Sequence, residues 1–161
     1  MKIIVYTFKS FPYKATLRQC FPNYFEFGKL KQSLIAFQQI IDKQKPKYIL
    51  GIAKSNTGKS RFETLAINKF TRYKQVDKQG KKTYPLLFPK KRCLSVASNG
   101  DLPTEARYNN IQIAKTPNYT FCNWTMYKIS QCLENKKCKL LFVHVAKKDI
   151  ALVKDYTDLL D

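Results

Sequence analysis

Lys139-Leu140-Leu141-Phe142-Val143-His144-Val145 is the stretch on which the fold turns. It is strongly apolar, too short for a helix of its own, and reads as a buried strand. Just upstream, Asn123–Glu134 spaces Trp124, Tyr127, Ile129 and Leu133 as a helix does. The same order appears earlier in the chain. Lys29–Lys43 carries Leu30, Leu34, Phe37, Ile40 and Ile41 at helical spacing, Lys45-Pro46 ends it, and Tyr48–Ala53 (YILGIA) follows as a second buried strand. Lys2–Phe8 reads as a first strand, Asn110–Ala114 (NIQIA) as another, and Ile150–Leu160 as a final amphipathic helix. Strands alternating with helices predict an α/β fold: a three-layer sandwich with a mostly parallel, twisted central sheet, in a single domain over residues 1–161.

The remaining segments carry weaker patterns. Phe11–Phe27 is rich in aromatics and has prolines at 12 and 22, which predicts irregular chain. Lys54–Ser60 is a polar loop, and Arg61–Phe70 fits a strand or a helix. Residues 71–92 are strongly basic, contain Gly80, Pro85 and Pro89, and predict a loop excursion. Leu102–Asn109 predicts a short helix, and Thr116-Pro117-Asn118 a turn.

The 161 residues include 30 Lys and Arg against 11 Asp and Glu, a net charge of +19. Such a balance fits either a polyanionic partner such as nucleic acid, or a solvated lysine-rich surface. The positive residues are spread along the chain and no nucleic-acid-binding motif accompanies them. Aromatic residues make up 14% of the chain, which a disordered composition lacks. No apolar run approaches the roughly 18 residues needed to span a bilayer, and the N-terminal apolar run carries no cleavage-site pattern. The expectation is a soluble cytoplasmic protein. Five cysteines and one histidine, with no zinc spacing, argue against a disulfide scaffold or a zinc site.

Two side chains draw chemical attention. Cys122 follows a turn and opens the helix over 123–134. A thiol at a helix N-terminus faces the positive end of the helix dipole, which favours the thiolate. His144, the sole histidine, sits near the C-terminal end of its strand, where open α/β sheets gather their sites. One helix and one turn separate the two, so the chain returns beside its start. A buried structural cysteine and a satisfied core histidine fit the same pattern. Glu63, by itself, reads as a solvated charge, but a carboxylate that fixes the imidazole tautomer is what a cysteine–histidine pair needs.

Taken in order, these segments resemble the pyroglutamyl peptidase I family of cysteine peptidases. Glu63-Thr64-Leu65-Ala66-Ile67-Asn68 has the E-x-x-A-x-N form of its glutamate motif. YILGIA is similar to its preceding strand, and Leu102-Pro103 to a segment between the two motifs. Ile113–Asn123 resembles the approach to its nucleophile, and Phe142-Val143-His144-Val145 its histidine strand. The resemblance implies Cys122 as nucleophile, His144 as general base and then acid, and Glu63 as the group that orients His144. It implies cleavage of pyroglutamate from the blocked N-terminus of a peptide, without metal or cofactor. It further implies Phe8 and Phe11 as walls of the substrate pocket, with Phe121 beside the nucleophile, and Arg72, nine residues after Glu63, as the family's arginine. One oxyanion donor would be the backbone N–H of Cys122. A homo-oligomer is compatible with it. The chain departs from the family where Pro12-Tyr13 stands for pocket glycines and Pro117-Asn118 for the residues before the nucleophile.

Two alternatives stand beside this reading. A relative with an altered pocket would keep the fold and use its basic surface as a binding module. Ala53-x-x-x-x-Gly58-Lys59-Ser60 after an apolar strand also mimics a nucleotide-binding loop, although it holds a single glycine.

Overall fold

A computed structural model describes residues 3–68, 75–76, 82–83, 94–95, 108, 110–114, 116 and 120–160. Its elements in chain order are β1 (Ile3–Phe8), α1 (Lys14–Cys20), β2 (Tyr24–Phe27), α2 (Leu30–Gln44), β3 (Tyr48–Lys54), β4 (Arg61–Glu63) and β5 (Leu65–Ala66). There follow β6 (Gln75–Val76), β7 (Lys82–Thr83), β8 (Leu94–Ser95), β9 (Gln112–Ala114), α3 (Phe121–Cys132), β10 (Lys139–Val145) and α4 (Ile150–Asp158).

Six strands form the central sheet in the order β2-β1-β3-β10-β4-β9. The pairings β1 with β2, β1 with β3, β3 with β10 and β4 with β9 are parallel; β10 with β4 is antiparallel. The mostly parallel sheet expected from sequence is therefore present, in a single domain. The apolar runs of β3 and β10 are explained by their position. They are central neighbours, and a central parallel strand is covered on both faces.

Strand parity divides the core in two. Val5, Leu50, Ile52, Leu141, Val143 and Phe62 face α1 and α4, where they meet Leu17, Ile150 and Val153. Ile4, Tyr6, Ile49, Ala53, Leu140 and Phe142 face α2 and α3, where they meet Phe37, Ile41, Met126 and Ile129. These are the two outer layers of the sandwich. α2 starts at the expected place and ends with Lys45 in the left-handed region at φ 46°, its N–H bonded to the Ile41 carbonyl, just before Pro46. Gly51 in β3 is required by close approach. A Cβ there would lie 2.4 Å from Phe142 Cδ2 and 2.5 Å from Tyr6 Cζ.

Residues 11–27 are not irregular. They hold α1 and β2. Pro12 precedes α1 and Pro22 follows it, so the prolines bracket the helix rather than interrupt it. The ambiguous segment after residue 60 resolves into two short strands broken at Thr64, whose hydroxyl donates to the Ala114 carbonyl at 2.7 Å. Within the basic stretch 71–92, β6 and β7 form an antiparallel pair; the rest of that stretch lies outside the described residues. So does most of the helix expected over 102–109, of which Tyr108 is described and is buried in the α1/α4 layer.

The nucleotide-loop reading fails on geometry. The loop after β3 runs into β4, not into a helix whose N-terminus could meet a phosphate. It folds on its own side chains instead. Ser55 Oγ donates to the Lys59 carbonyl at 2.6 Å, and the Thr57 N–H donates to Ser55 Oγ at 3.3 Å. Ser60 is buried. It accepts from the Ala146 N–H at 2.8 Å and donates to Asp149 Oδ2 at 2.6 Å, which ties the start of β4 to the end of β10.

No helix among the described residues is long and apolar enough to cross a membrane.

Candidate active site

β4 and β10 bring Glu63 and His144 together. In their antiparallel register Arg61 pairs with His144 and Phe62 with Val143. Alternation sends Phe62 and Val143 into the α1/α4 layer, so Glu63 and His144 face the α2/α3 side. There Glu63 Oε1 lies 2.6 Å from His144 Nδ1, with side-chain exposures of 1% and 10%. The imidazole also meets the Phe142 ring edge-on, with centroids 5.3 Å apart. A carboxylate on Nδ1 leaves the far ring nitrogen for proton transfer.

Glu63 carries a second partner that the sequence pattern did not single out. Arg61 Nε donates to the same Oε1 at 2.8 Å. Burial alone would raise the Glu63 carboxyl. The hydrogen bonds from His144 and Arg61, and then their charges, outweigh it and hold the carboxyl below its ordinary value. The only hint in the sequence was its position two residues before Glu63, which in a strand puts it on the same face.

Cys122 lies in the first turn of α3 and packs against the α2/α3 core, the layer faced by His144. Thr120 caps the helix; its Oγ1 accepts from the Cys122 N–H at 3.4 Å. The proposed oxyanion donor thus already has a long contact. Asn123, next in the chain, holds both backbone groups of Ile67. It accepts from the Ile67 N–H at 2.8 Å and donates to the Ile67 carbonyl at 2.9 Å. This pair fastens the start of α3 to the chain just beyond Glu63. Among the described residues, no hydrogen bond joins the Cys122 thiol to His144.

The thiolate expected at a helix N-terminus is not the resting form. Burial pushes the Cys122 thiol up to about 12, against the pull of the Thr120 hydrogen bond, and the negative charge of Glu63 adds to the rise. Burial on the apolar α2/α3 layer outweighs the helix dipole here. That direction favours the protonated thiol over the thiolate. Alkylation of Cys122 by iodoacetamide is expected to be slow there and to climb about tenfold per pH unit to about pH 10. Mass-spectrometric rates for the separate cysteines check this, and a plateau by about pH 9 would contradict it.

A cavity of about 750 Å³ opens at the start of α3; Cys122, Glu63 and His144 are not among its lining residues. Its apolar wall comes from Phe8 and Phe27 at the ends of β1 and β2, and from Phe121 and Trp124 in the first turn of α3. Phe8 and Phe121 thus share one cavity. Phe11 does not line it; it is buried in the opposite layer with Leu17 and Phe21, its ring edge-on to Tyr13. Arg72 lies outside the described residues. Among the described residues, no cluster of three or more His, Cys, Asp or Glu side chains could hold a metal ion.

No protein-family model matches the sequence, and no curated protein matches it. Solved structures do. The pyrrolidone carboxyl peptidase of Thermococcus litoralis superposes with a TM-score of 0.71 at 14% identity, over 99% of this chain and 93% of that one. A point mutant of the pyrrolidone carboxyl peptidase of Pyrococcus furiosus gives 0.70 at 14% identity, over 99% and 97%. The enzyme of Thermus thermophilus gives 0.65 at 16% identity, over 98% and 97%. The likeness is one of fold. The chain has the pyroglutamyl peptidase fold over nearly its whole length.

Proposed function

We propose that this chain, built on the pyroglutamyl peptidase fold, is a cysteine peptidase that removes pyroglutamate from the blocked N-terminus of peptides. The observation that carries the reading is the buried Glu63–His144 pair at 2.6 Å, on the sheet face against which Cys122 packs. Fold likeness to pyrrolidone carboxyl peptidases supports the substrate class.

In this mechanism the sulfur is not ionised beforehand. As Cys122 Sγ attacks the amide carbonyl, its proton passes to the free ring nitrogen of His144, and Glu63 stabilises the imidazolium. His144 then protonates the leaving amine, the C–N bond breaks, and a thioester remains on Cys122. Water attacks the thioester, His144 takes its proton, the C–S bond breaks, and pyroglutamate leaves with the thiol restored. Phe8 and Phe121 hold the lactam ring. Arg61 keeps the Glu63 carboxylate charged throughout the cycle.

Wild-type protein is expected to release the chromophore from a pyroglutamyl arylamide and to leave the corresponding unblocked glutamyl and prolyl arylamides intact. Cleavage of the unblocked amides alone would keep the thiol chemistry and refute the substrate. The raised thiol favours a second reading, a non-catalytic relative that binds through its basic surface. A folded wild type that cleaves none of the three, yet associates with polyanions in a steeply salt-dependent way, would favour that reading.

A further inference from the structure

The cavity lined by Phe121 and Trp124 at the start of α3 has a lining that the pyroglutamyl group alone does not explain. Its apolar wall suits a flat ring, but its ionisable residues are Lys9, Lys29 and Lys31, and no carboxylate lines it. All three lysines are exposed, and none has a described ion pair. Lys9 reaches over Gly28, its Cδ 4.0 Å from where a Cβ would stand. The nearby carboxylate of Glu26 on β2 is engaged elsewhere, paired with Lys14 of α1 at 2.6 Å.

We propose that this cavity selects an anionic substrate: a pyroglutamyl peptide with acidic side chains immediately after the blocked residue. The inference rests on the peptidase reading and narrows its substrate. A lactam is neutral, so three ammonium groups on the rim have nothing to match in the blocked residue itself. Their complement lies in the second and third residues of the peptide. Each exposed pair contributes little, but three on one rim act together and fade with salt.

The test offers the wild-type protein three short peptide amides: pyroglutamyl-Glu-Glu, pyroglutamyl-Gln-Gln and pyroglutamyl-Lys-Lys. At about 20 mM salt the acidic peptide is expected to exceed the neutral one about tenfold in kcat/KM, with the basic one lower still. The acidic-to-neutral ratio should fall towards one at about 300 mM salt and in the Lys9→Gln/Lys29→Gln/Lys31→Gln variant. Binding is read separately from the emission of Trp124, the sole tryptophan, which lines the cavity. Equal kcat/KM for all three peptides overturns the inference and leaves the peptidase reading standing. No cleavage, with Trp124 emission still responding preferentially to the acidic peptide, sinks the peptidase reading and keeps the anionic selectivity. No cleavage and no preference removes both.

Discussion

Replacing His144 with alanine is expected to lower kcat/KM on a pyroglutamyl arylamide by about 10⁴-fold or more. The size follows from the state of the sulfur. A thiol pushed up to about 12 has almost no thiolate at neutral pH, so it depends on a base at the moment of attack. No other histidine exists in the chain to take over. The variant should also lose about 1–3 kcal/mol of stability, because Glu63, 1% exposed, keeps Arg61 as its one remaining ion-pair partner among the described residues. That loss has a pH sign. The Glu63 carboxyl is depressed in the folded protein, so its contribution is present above its unfolded value of 4.5 and disappears as pH falls through the folded value. Without His144 the depression shrinks, and the acid limb of the stability curve moves to higher pH. Activity measured where thermal melts show the variant fully folded separates the two effects. Retention of activity within about tenfold of wild type would remove His144 from the chemistry.

Gly51→Ala is expected to destabilise the fold by about 3 kcal/mol, at the upper end of overpacking costs. The added methyl would meet Phe142 Cδ2 at 2.4 Å and Tyr6 Cζ and the Tyr6 hydroxyl at 2.5 Å. Neither ring has room to retreat. Tyr6 packs on Phe27 and Phe37 with centroids 5.1 and 5.3 Å apart, and both Tyr6 and Phe142 are fully buried. Nor can the strand shift, since β3 is bonded to β1 on one side and β10 on the other. Urea unfolding should show a lower midpoint at an unchanged slope. Adding Phe142→Leu should recover part of the loss, because the two changes share one contact. A midpoint within error of wild type would show that the rings yield. The site would feel this change as well. Phe142 touches the His144 ring, and the Tyr6 hydroxyl donates to Thr125 Oγ1 in α3, one turn after Cys122.

The central strands were readable because position dictates composition. β3 and β10 are covered on both faces, so their apolar runs announce them, and α2 shows apolar residues at helical spacing. Cys122 and His144 stand out by local pattern, at a helix start and a strand end, whereas Glu63 is reached only through motif order. A two-residue strand such as β5 and a three-residue strand such as β4 leave no periodicity to detect. The reversal of β4 was therefore invisible, although it sets which residues oppose His144. α1 is hidden because prolines at the two ends of a helix look, in sequence, like breaks within an irregular segment. Phe11 was misassigned because aromatic content says nothing about which side of a sheet a loop residue enters. Helix polarity, which favours a thiolate at Cys122, can be read from sequence, whereas the depth at which the side chain packs, which opposes it, cannot.

The paired hydrogen bonds between Asn123 and Ile67 have a consequence for how this protein tolerates change. They pin two points that are 56 positions apart along the chain. The first turn carrying the sulfur and the strand carrying the carboxylate are thereby yoked, and any displacement of one drags the other with it. Loop-closure entropy varies only slowly with length, so a change in the number of residues between those points weakens this tie little.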